Sequence, residues 1–449
     1  MRVIIHGGLV ELVDCPIVEK VEDALTFKKW EYQTKTTTTV LAYATNGNRI
    51  FVPRNFYAWH TMENIEVVYN TATAERLPDG FQINEGKKLY WAGVDQEAFI
   101  DSAVSHALMT DTGGYGISPC GTGKTLMGVE IIRRLGRPAL IILNRTHQVD
   151  QWLEEFDKSY QVPPGMVGVY KGQRKDVTPI VVATIQSLVK ERRGDFFSRY
   201  ATAIFDEGHH LPADTWMQML ARLRCKWIFA LTAGFHRTDG LDKMFQYLLG
   251  GVVAEAKASK TEGGSVYQVQ LTGKFSIHLS GWAQKDKNRV ARAMTNNNHR
   301  NMMICRLSSK LVSKGRDVLV FSSLRDHLQA LFEEFQRTGV SKMVGFFVGG
   351  MTPAALHHGA TRPITLITYE MGKEALNLPH KDTIICASPP PANLQQLKGR
   401  IDRVLEGKVK NPPLVIDFVD FGESLRKKAR KRAGAWRREG MVVYEGAPK

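Results

Sequence analysis

The sequence predicts an α/β protein with two doubly wound parallel-sheet lobes, preceded by a small β-rich domain. Continuous apolar runs alternate with helical segments over residues 86–252, and the same rhythm returns over residues 301–424. Such runs are typical of strands buried on both faces of a parallel sheet, and their alternation with helices is typical of doubly wound proteins. The first 85 residues carry short, β-branched segments instead.

The N-terminal residues 1–85 are expected to form a β-rich accessory domain. Asn46-Gly47 separates two β-branched segments, which is a strong signal for a hairpin. Aromatic and basic residues are interleaved around this turn: Phe27, Trp30, Tyr32, Phe56, Tyr57 and Trp59 with Lys28, Lys29, Lys35, Arg49 and Arg54. Such a mixture can stack on bases and hold phosphates, so the domain could bind DNA; the alternative is the core of a small β-domain.

The two lobes are expected to contain separate sets of strands. In the first, apolar runs lie at residues 139–143, 180–184, 201–205 and 227–232. In the second, they lie at residues 318–321, 342–348, 364–368, 383–387 and 414–418. Between the lobes, residues 253–300 are predicted to form a linker and a hairpin over 266–279, and residues 425–449 a basic C-terminal tail.

The net charge of the chain favours a negatively charged partner. The chain has 449 residues and a net charge of +15, which suits a polyanion such as nucleic acid, the alternative being solubility alone. No apolar run reaches the roughly 18 to 20 residues that span a bilayer, and the apolar N-terminus is too short for a signal peptide, so cytoplasmic residence is expected. Five scattered cysteines predict reduced thiols.

The segment Ser118–Thr125 is the predicted phosphate cradle. A strand-like run precedes it and a helical pattern follows, so backbone amides and the helix dipole would face an anion. Lys124 would reach the β- and γ-phosphates, and the Thr125 hydroxyl would bind Mg²⁺. The usual first Gly of this pattern is Ser118 here, and a Gly-rich turn before a lysine is the alternative. The predicted cradle residues are Ser118, Cys120, Gly121, Thr122, Gly123, Lys124 and Thr125.

An acidic pair closes the apolar run at residue 205. At the carboxyl end of a parallel strand, Asp206 could hold Mg²⁺ and Glu207 could orient and deprotonate an attacking water. His209 follows on the loop, where it could sense the γ-phosphate. The alternative is a solvated acidic pair at a strand end.

Gly-Thr-Gly-Lys-Thr followed by Asp-Glu-x-His resembles superfamily 2 helicases and translocases. That resemblance implies RecA-like lobes, ATP, Mg²⁺ and a nucleic-acid partner. Further motifs follow in the family's order, at residues 143–152, 184–188 and 231–233, and they imply nucleic-acid contacts for Arg145, Gln151, Thr184 and Thr232. Gly234 stands where the coupling motif has a second Thr, and Pro is absent from the continuation over 235–240.

The second lobe completes the resemblance. Residues 318–322 are similar to its opening strand motif, and Thr368 would contact nucleic acid. Glu374 and Asn377 fall in a partly matched nucleotide-binding motif, in which Ala375 replaces Gly and Asn377 replaces Asp. The run from Gln396 to Arg403 matches Gln-x-x-Gly-Arg-x-x-Arg in full, which implies that Gln396, Arg400 and Arg403 act on the γ-phosphate.

Two further groups of residues are predicted to bind ligands. Gln96 lies upstream of the cradle, where the family recognises adenine, although an exposed Gln at a helix start is a comparable alternative. The C-terminal tail is predicted to contact phosphates, or else to be a solvated helix face, through Arg426, Lys427, Lys428, Arg430, Lys431 and Arg432.

These observations predict an ATP-dependent DNA helicase or translocase that remodels or unwinds branched DNA such as forks, junctions and loops. The family members it resembles are phage branch-migration helicases such as UvsW and, more distantly, RecG and XPB. Two alternatives stay open: an RNA helicase of the same superfamily, and a nucleic-acid-binding module whose P-loop does not hydrolyse ATP. The complete two-lobe set of motifs implies that one chain suffices, so a monomer is expected.

Overall fold

The computed structural model describes most of the chain, in two compact units, Met1–Ala258 and Ser259–Lys449. The described residues are 1–31, 36–56, 63–91, 94–119, 121–207, 213–234, 241–256, 264–280, 283–373, 378, 380–391, 394, 397–398, 401 and 411–446. Within these ranges no helix is both long and apolar enough to cross a membrane. The four cysteines inside them are free thiols, as expected: Cys15, Cys225, Cys305 and Cys386.

The N-terminal region forms a five-stranded sheet and a separate two-stranded one. Its elements are β1 Arg2–Ile5, β2 Leu9–Val13, α1 Val18–Ala24, β3 Thr26–Glu31, β4 Thr36–Leu41, β5 Ala44–Asn46, β6 Arg49–Pro53 and β7 Glu66–Tyr69. The five-stranded sheet has the order β5-β6-β2-β1-β7, and β3 pairs with β4. The predicted hairpin at Asn46-Gly47 is confirmed, since Asn46 pairs with Arg49 across the turn.

The N-terminal sheet shares one apolar core with the rest of the first unit. Val3, Val52 and Phe56 belong to the same buried cluster as Leu220 and Phe245. Arg54 lies in this contact: its guanidinium donates to the carbonyl oxygens of Gly7, Cys225, Lys226 and Asp111 at 2.6–3.3 Å. The buried Arg54 therefore joins segments of the chain and does not present its charge to a phosphate, as its place among the interleaved cations had suggested.

The aromatic residues of this region divide between core and surface. Phe56 is buried and packs edge-on against Tyr247, with ring centroids 5.1 Å apart. Trp30 on β3 is 43% exposed and lies beside Lys28 and Lys29. Four further members of the predicted set lie outside the described residues: Tyr32, Lys35, Tyr57 and Trp59.

The first unit continues with an eight-stranded sheet flanked by helices. Short strands lead in, namely β8 Gln82–Ile83, β9 Tyr90–Trp91 and β10 Val94–Asp95. The helices and strands that follow are α2 Gln96–Thr110, β11 Gly114–Ile117, α3 Lys124–Leu135, β12 Ala139–Leu143, α4 Thr146–Ser159, β13 Tyr160–Gln161, β14 Val167–Lys171, β15 Arg174–Lys175, β16 Ile180–Thr184, α5 Ile185–Val189, β17 Thr202–Asp206, α6 Ala213–Arg222, β18 Trp227–Thr232, α7 Asp242–Leu249 and β19 Val252–Glu255.

The strand order of this sheet is β15-β14-β16-β12-β17-β18-β11-β19. Every neighbouring pair is parallel except β14–β15, which is an antiparallel hairpin. Strands β12, β16 and β18 are buried at every position, as their continuous apolar sequences predict. The doubly wound prediction for this lobe is confirmed.

The second unit contains a seven-stranded sheet in the order β22-β23-β21-β24-β25-β20-β26. Its elements are β20 Ser265–Gln270, α8 Lys287–Thr295, α9 Asn298–Ser313, β21 Val318–Ser322, α10 Arg325–Arg337, β22 Val344–Phe347, α11 Pro353–Ala360, β23 Ile364–Thr368, α12 Tyr369–Lys373, β24 Thr383–Cys386, β25 Leu414–Val419, α13 Glu423–Arg438 and β26 Val442–Glu445. All of its described strand pairs are parallel, as predicted for the second lobe.

The hairpin predicted over 266–279 is wrong. Strand β20 pairs in parallel with β25 and with β26, and Gly273–Phe275 is a short 3₁₀ helix. The alternating pattern of residues 266–270 marks a single strand, in which Val266 and Gln268 are buried while Tyr267 and Val269 are half-buried.

The predicted basic tail is a helix and a strand packed on this sheet. One face of α13 buries Leu425, Ala429, Ala433 and Trp436, which recur at helical spacing. Strand β26 then joins the sheet edge next to β20. Residues 425–445 therefore belong to the folded second lobe, with one face of α13 in its core.

Candidate functional site

Three neighbouring strands of the first sheet bring the cradle and the acidic pair together. The cradle follows β11, Asp206 ends β17, and β18 lies between these two strands. The last two residues of β18 bind both the cradle and the acidic pair through backbone hydrogen bonds. Ser118 N donates to Thr232 O at 2.9 Å, and Glu207 N donates to Leu231 O at 2.9 Å. The site therefore lies at the carboxyl ends of parallel strands, where α/β sheets bind ligands.

The cradle loop has the backbone of an anion-binding turn. Gly121 and Gly123 have φ angles of 82° and 85°, a region that residues with a side chain rarely adopt. Gly123 caps α3, so the amides of that helix's first turn face the loop. Thr125 lies in this first turn, half-buried. Cys120 lies outside the described residues.

Ser118 replaces the usual glycine without disturbing the loop. Its side chain is fully buried, and its hydroxyl is hydrogen-bonded to the hydroxyl of Thr122. The Thr122 hydroxyl also donates to Pro119 O at 2.7 Å. These side chains close the turn from within, so the departure at Ser118 is compatible with a phosphate cradle.

Lys124 lies between the cradle and the acidic pair. Its Nζ is 2.9 Å from Oε1 of Glu207 and donates to Ser118 O at 3.3 Å. The two charged side chains are only 11% and 21% exposed, so their attraction is weakly screened. Of the predicted catalytic residues, the structure thus brings Lys124 into direct contact with Glu207.

Glu207 adopts a left-handed backbone conformation, with φ of 50°. Such a conformation costs a non-glycine residue on the order of 1–2 kcal/mol, and strain of this kind clusters at functional sites. Here it turns the chain directly after β17, at the point where Glu207 meets Lys124. His209, on the loop that follows, lies outside the described residues.

Asp206 is oriented by a residue that the sequence placed in a nucleic-acid motif and not in the nucleotide site. The indole Nε1 of Trp152 donates to Asp206 Oδ2 at 3.0 Å. Burial and the neighbouring charge of Glu207 raise the pKa of Asp206 above its ordinary value. Trp152 is itself buried against α3, where a Cβ at Gly128 would approach its ring to 2.6 Å. The apolar face of α4, with Val149 and Phe156, is the sequence signal that places Trp152 inward.

Gln96 is buried against the cradle, which excludes the exposed alternative. Its Nε2 donates to Thr122 O at 2.7 Å, and a Cβ at Gly123 would approach that nitrogen to 2.3 Å. The side chain is 1% exposed at the start of α2. Its Oε1 has no hydrogen-bond partner among the described residues. Gln96 therefore has the place and an available acceptor for a donor group such as the adenine amino group.

These residues fit a nucleotide with Mg²⁺. The described residues contain no cluster of three or more His, Cys, Asp or Glu side chains that could hold a metal ion. Mg²⁺ in nucleotide sites is typically held by one or two protein ligands together with phosphates and water. Asp206 and Thr125 can supply those protein ligands.

The predicted nucleic-acid residues of the first unit lie at the same edge of the sheet but differ in exposure. Arg145 is exposed directly after β12, and Gln151 is half-buried on α4. Gln186 Nε2 donates to Asn144 O at 3.0 Å and so joins the loops after β12 and β16. Thr184 is 5% exposed, and its hydroxyl donates to Ser187 Oγ at 3.0 Å.

Thr232 is corrected from a nucleic-acid contact to a loop-shaping residue. It is 1% exposed. Its hydroxyl donates to Gly234 O at 2.8 Å and accepts from Gly234 N at 3.3 Å. With this turn closed on itself, the Thr232 hydroxyl stabilises the end of β18 between the cradle and Glu207.

The predicted residues of the second unit are only partly described. Thr368 ends β23, is 8% exposed, and accepts a long bond from Met371 N at 3.4 Å. The predicted nucleotide-binding and arginine-motif residues lie outside the described residues: Glu374, Asn377, Gln396, Arg400 and Arg403.

The basic residues of α13 divide into an outer and an inner set. The outer set is exposed and comprises Arg426, Lys427, Arg430 and Lys431. The inner set is corrected to a structural role. Arg432 makes a bidentate ion pair with the buried Asp417, at 2.8–3.1 Å, and Lys428 Nζ donates to Gln284 O at 3.1 Å.

Comparison with known proteins places this site in a helicase context. Residues 94–237 match the family described as "Type III restriction enzyme, res subunit". A "Putative ATP-dependent RNA helicase" of Acanthamoeba polyphaga mimivirus is 27% identical over 71% of this chain and 62% of its own length. A "Probable helicase" of Escherichia phage T5 is 24% identical over 73% and 72%. The "DNA 3'-5' helicase XPB" of Kineococcus radiotolerans is 26% identical over 66% and 55%.

Solved structures share the fold of this chain. S. cerevisiae Dbp5 bound to RNA and ADP BeF3 matches 77% of this chain and 89% of its own, with a TM-score of 0.52 and 13% identity. T4 UvsW matches 99% of this chain and 98% of its own, with a TM-score of 0.41 and 16% identity. The chain thus has two RecA-like lobes and a β-rich N-terminal sheet, and its predicted resemblance to helicases is confirmed. It spans less than two thirds of the mimivirus relative.

Proposed function

We propose that this protein is an ATP-hydrolysing motor that translocates on DNA and remodels or unwinds branched substrates such as forks, junctions and loops. One observation carries the proposal: Lys124 and Glu207 are in contact at the carboxyl ends of β11 and β17, beside the half-buried Asp206. A nucleic-acid-binding module without turnover has no need to place a strained glutamate beside the phosphate-binding lysine.

The residues of the first unit divide the chemistry between them. Lys124 and the first turn of α3 would neutralise the charge of the transferred phosphoryl group, which is the largest contribution that a protein makes to such reactions. Glu207 would accept a proton from the attacking water. Bound Mg²⁺, held through Asp206 and Thr125, would supply further charge stabilisation at the phosphates. Trp152 keeps the Asp206 carboxylate oriented.

The remaining nucleotide assignments belong to the same proposal. Gln96 would read the adenine edge with its buried Oε1. Glu374 and Asn377 would bind the nucleotide, and His209, Gln396, Arg400 and Arg403 would act near the γ-phosphate, as the family resemblance implies. Guanidinium groups are suited to that role because they spread positive charge over the oxygens of the transferred group.

Nucleic acid is proposed to run across the carboxyl edge of the first sheet. Arg145 and Gln151, with the loop that Gln186 joins to Asn144, are available there for contact with a sugar–phosphate backbone. On the second unit, the proposed contacts are Thr368 and the outer face of α13 with Arg426, Lys427, Arg430 and Lys431. The net charge of +15 supports a polyanionic partner.

DNA is preferred over RNA as the substrate because of the motif continuation over 235–240, which is similar to that of branch-remodelling DNA motors. The relatives are divided, since one is described as an RNA helicase and another as a DNA helicase. Assays of ATP turnover without polymer and with duplex DNA, branched DNA and RNA decide the class. We expect the largest stimulation with branched DNA; stimulation by RNA alone would overturn the choice of DNA.

A displacement assay completes the test of a motor function. A forked DNA with one fluorescent strand should be converted by the purified chain in the presence of ATP and Mg²⁺, and not with a non-hydrolysable analogue. ATP binding without turnover under every polymer condition would instead support the binding-module alternative.

A further inference from the structure

The outer part of the first sheet carries a basic surface that the helicase motifs do not include. It consists of the β14–β15 hairpin and the loop after α5, and we call it the outer basic edge. Its cations are Lys171, Arg174, Lys175, Lys190, Arg192 and Arg193. All but Lys171, which is half-buried, are exposed.

Sheet topology places this surface in line with the proposed nucleic-acid edge. Strand β14 is parallel to β16, and its hairpin turn at Gly172 and Gln173 therefore lies at the carboxyl edge. Gly172 N donates to Ser187 Oγ at 3.1 Å, and Ser187 in turn is bonded to Thr184. The strands β12, β16, β14 and β15 are consecutive, so the edge from Asn144 to the hairpin spans about 14 Å at the usual strand spacing of about 4.8 Å.

Buried hydrogen bonds hold the loop after α5 in place. Glu191 is 6% exposed and accepts from the backbone amides of Arg192 and Arg193 at 2.8 and 2.7 Å. It also accepts from the hydroxyl of Tyr170. Arg222 donates to Leu188 O at 3.0 Å, to Val189 O at 2.8 Å, and to Glu191 O. A loop held in this way presents its side chains with little ordering cost on binding.

Acids offset only part of the positive charge. Asp150 lies 3.5 Å from Lys171, Asp176 pairs with Arg174 at 2.7 Å, and Glu191 pairs with Arg193 at 2.7 Å. Lys175 lies over the ring of Tyr170, 3.9 Å from its centroid. Lys190 and Arg192 have no ion-pair partner among the described residues. The surface therefore keeps a net positive charge at a fixed place beside the motif loops.

We infer that the outer basic edge binds the phosphate backbone of nucleic acid and extends the path on the first unit beyond the helicase motifs. This inference rests on the proposed function. Several fixed cations on one surface can engage more than one phosphate of a strand, since neighbouring phosphates of a duplex strand rise only about 3.4 Å. The contact is independent of sequence, because no base edge is needed.

A double variant with a matched control tests the inference. The test variant is Arg174→Ala with Arg192→Ala. The control is Arg199→Ala with Lys158→Ala, which removes the same charge at the opposite edge of the sheet, before β17 and at the end of α4. Arg174 and Arg199 match closely, being 63% and 54% exposed and each paired with an aspartate. Affinity for a mixed-sequence duplex and for its single strand is measured against salt concentration.

The test variant should bind nucleic acid more weakly than wild type. The slope of log affinity against log salt concentration should also be smaller in magnitude, because two phosphate contacts are lost. The expected decrease is about 1.8 on duplex and about 1.4 on single strand. Polymer-free ATP turnover and the melting temperature should stay at wild-type values in both variants. A test variant whose slope equals that of the control overturns this inference alone. A wild-type chain that binds no nucleic acid overturns the proposed function itself.

Discussion

Lys124 Nζ lies 2.9 Å from Oε1 of Glu207, so the proposed phosphate-binding lysine and the proposed general base are partners in an ion pair. Both side chains are largely shielded from water. A γ-phosphate would compete with Glu207 for the charge of Lys124. Nucleotide binding and release of the glutamate for proton transfer are therefore expected to be coupled in this site.

The first prediction concerns Glu207→Gln. The glutamine keeps the size and can still bond Lys124, but it cannot take a proton from water, so turnover should fall by about 10²–10⁴-fold. Nucleotide affinity should be retained or rise, because Lys124 is no longer engaged by a carboxylate. Steady-state ATP turnover and titration with a fluorescent nucleotide measure the two quantities.

The control for Glu207 is Glu154→Gln, at an exposed position on α4. It should leave turnover and affinity at wild-type values. Turnover that is unchanged in Glu207→Gln would remove Glu207 from the base role.

The second prediction concerns Gln96→Ala. The change removes the 2.7 Å bond to Thr122 O and the buried acceptor Oε1. A lost buried hydrogen bond is worth about 1–2 kcal/mol, so the KM for ATP should rise about tenfold with a smaller effect on kcat. The KM for GTP should change less, since its base presents a carbonyl where adenine presents an amino group. Exposed Gln161→Ala serves as the control. An equal rise for both nucleotides would limit Gln96 to supporting the loop.

The strands and the cradle could be predicted because their residues are dictated locally. The apolar run Trp227–Thr232 coincides with β18 and Ile364–Thr368 with β23, since a strand buried on both faces admits few polar residues. The cradle's glycines are likewise dictated locally, because the turn needs positive φ angles at Gly121 and Gly123. The bond from Trp152 to Asp206 joins residues 54 positions apart, and no local pattern reports such a pairing.

The sequence of the C-terminal helix α13 contains two patterns that predict different environments. Its run of cations from Arg426 to Arg432 predicts a solvated or phosphate-binding tail. A second pattern predicts a buried helix face, because apolar residues recur at helical spacing: Leu425, Ala429, Ala433 and Trp436. Both are correct for different faces. Helical spacing places Arg432 beside Ala429 and Trp436, but no sequence pattern shows that it pairs with Asp417.

The third prediction follows from that division. Arg432→Ala leaves the fully buried Asp417 without its guanidinium, which costs about 3–5 kcal/mol for a buried pair. Urea unfolding should show this loss of stability.

The matched control is Arg430→Ala, an exposed position two residues away, which should change stability by less than about 0.5 kcal/mol. If α13 contacts nucleic acid, the control should instead lower affinity and reduce its salt dependence. A stable Arg432→Ala protein would contradict the structural role.

The fourth prediction concerns Arg54→Lys. Four carbonyl oxygens converge on this guanidinium, and an ammonium cannot reach them all from one position. We expect a loss of about 2–3 kcal/mol, seen as a lower melting temperature and earlier proteolytic release of the N-terminal sheet. Arg49→Lys is the control, because Arg49 is exposed and makes one ion pair with Glu11 at 3.0 Å. Equal melting of the two variants would show that the Arg54 bonds do not hold the sheet.

The last prediction concerns pH and His327 in the second unit. Its ring is buried, with Nδ1 3.0 Å from Ser322 Oγ and Nε2 3.1 Å from Asn301 Oδ1, and burial and nearby Arg300 lower its pKa to about 3. The unfolded chain takes up a proton below pH about 6.5 while the folded chain does not. This contribution to stability is therefore present above pH about 6.5 and is lost as pH falls towards 3, by up to about 5 kcal/mol. His327→Gln should flatten the dependence of unfolding free energy on pH between 6.5 and 3. Exposed His357→Gln should follow wild type, and parallel profiles for all three proteins would contradict the buried neutral ring.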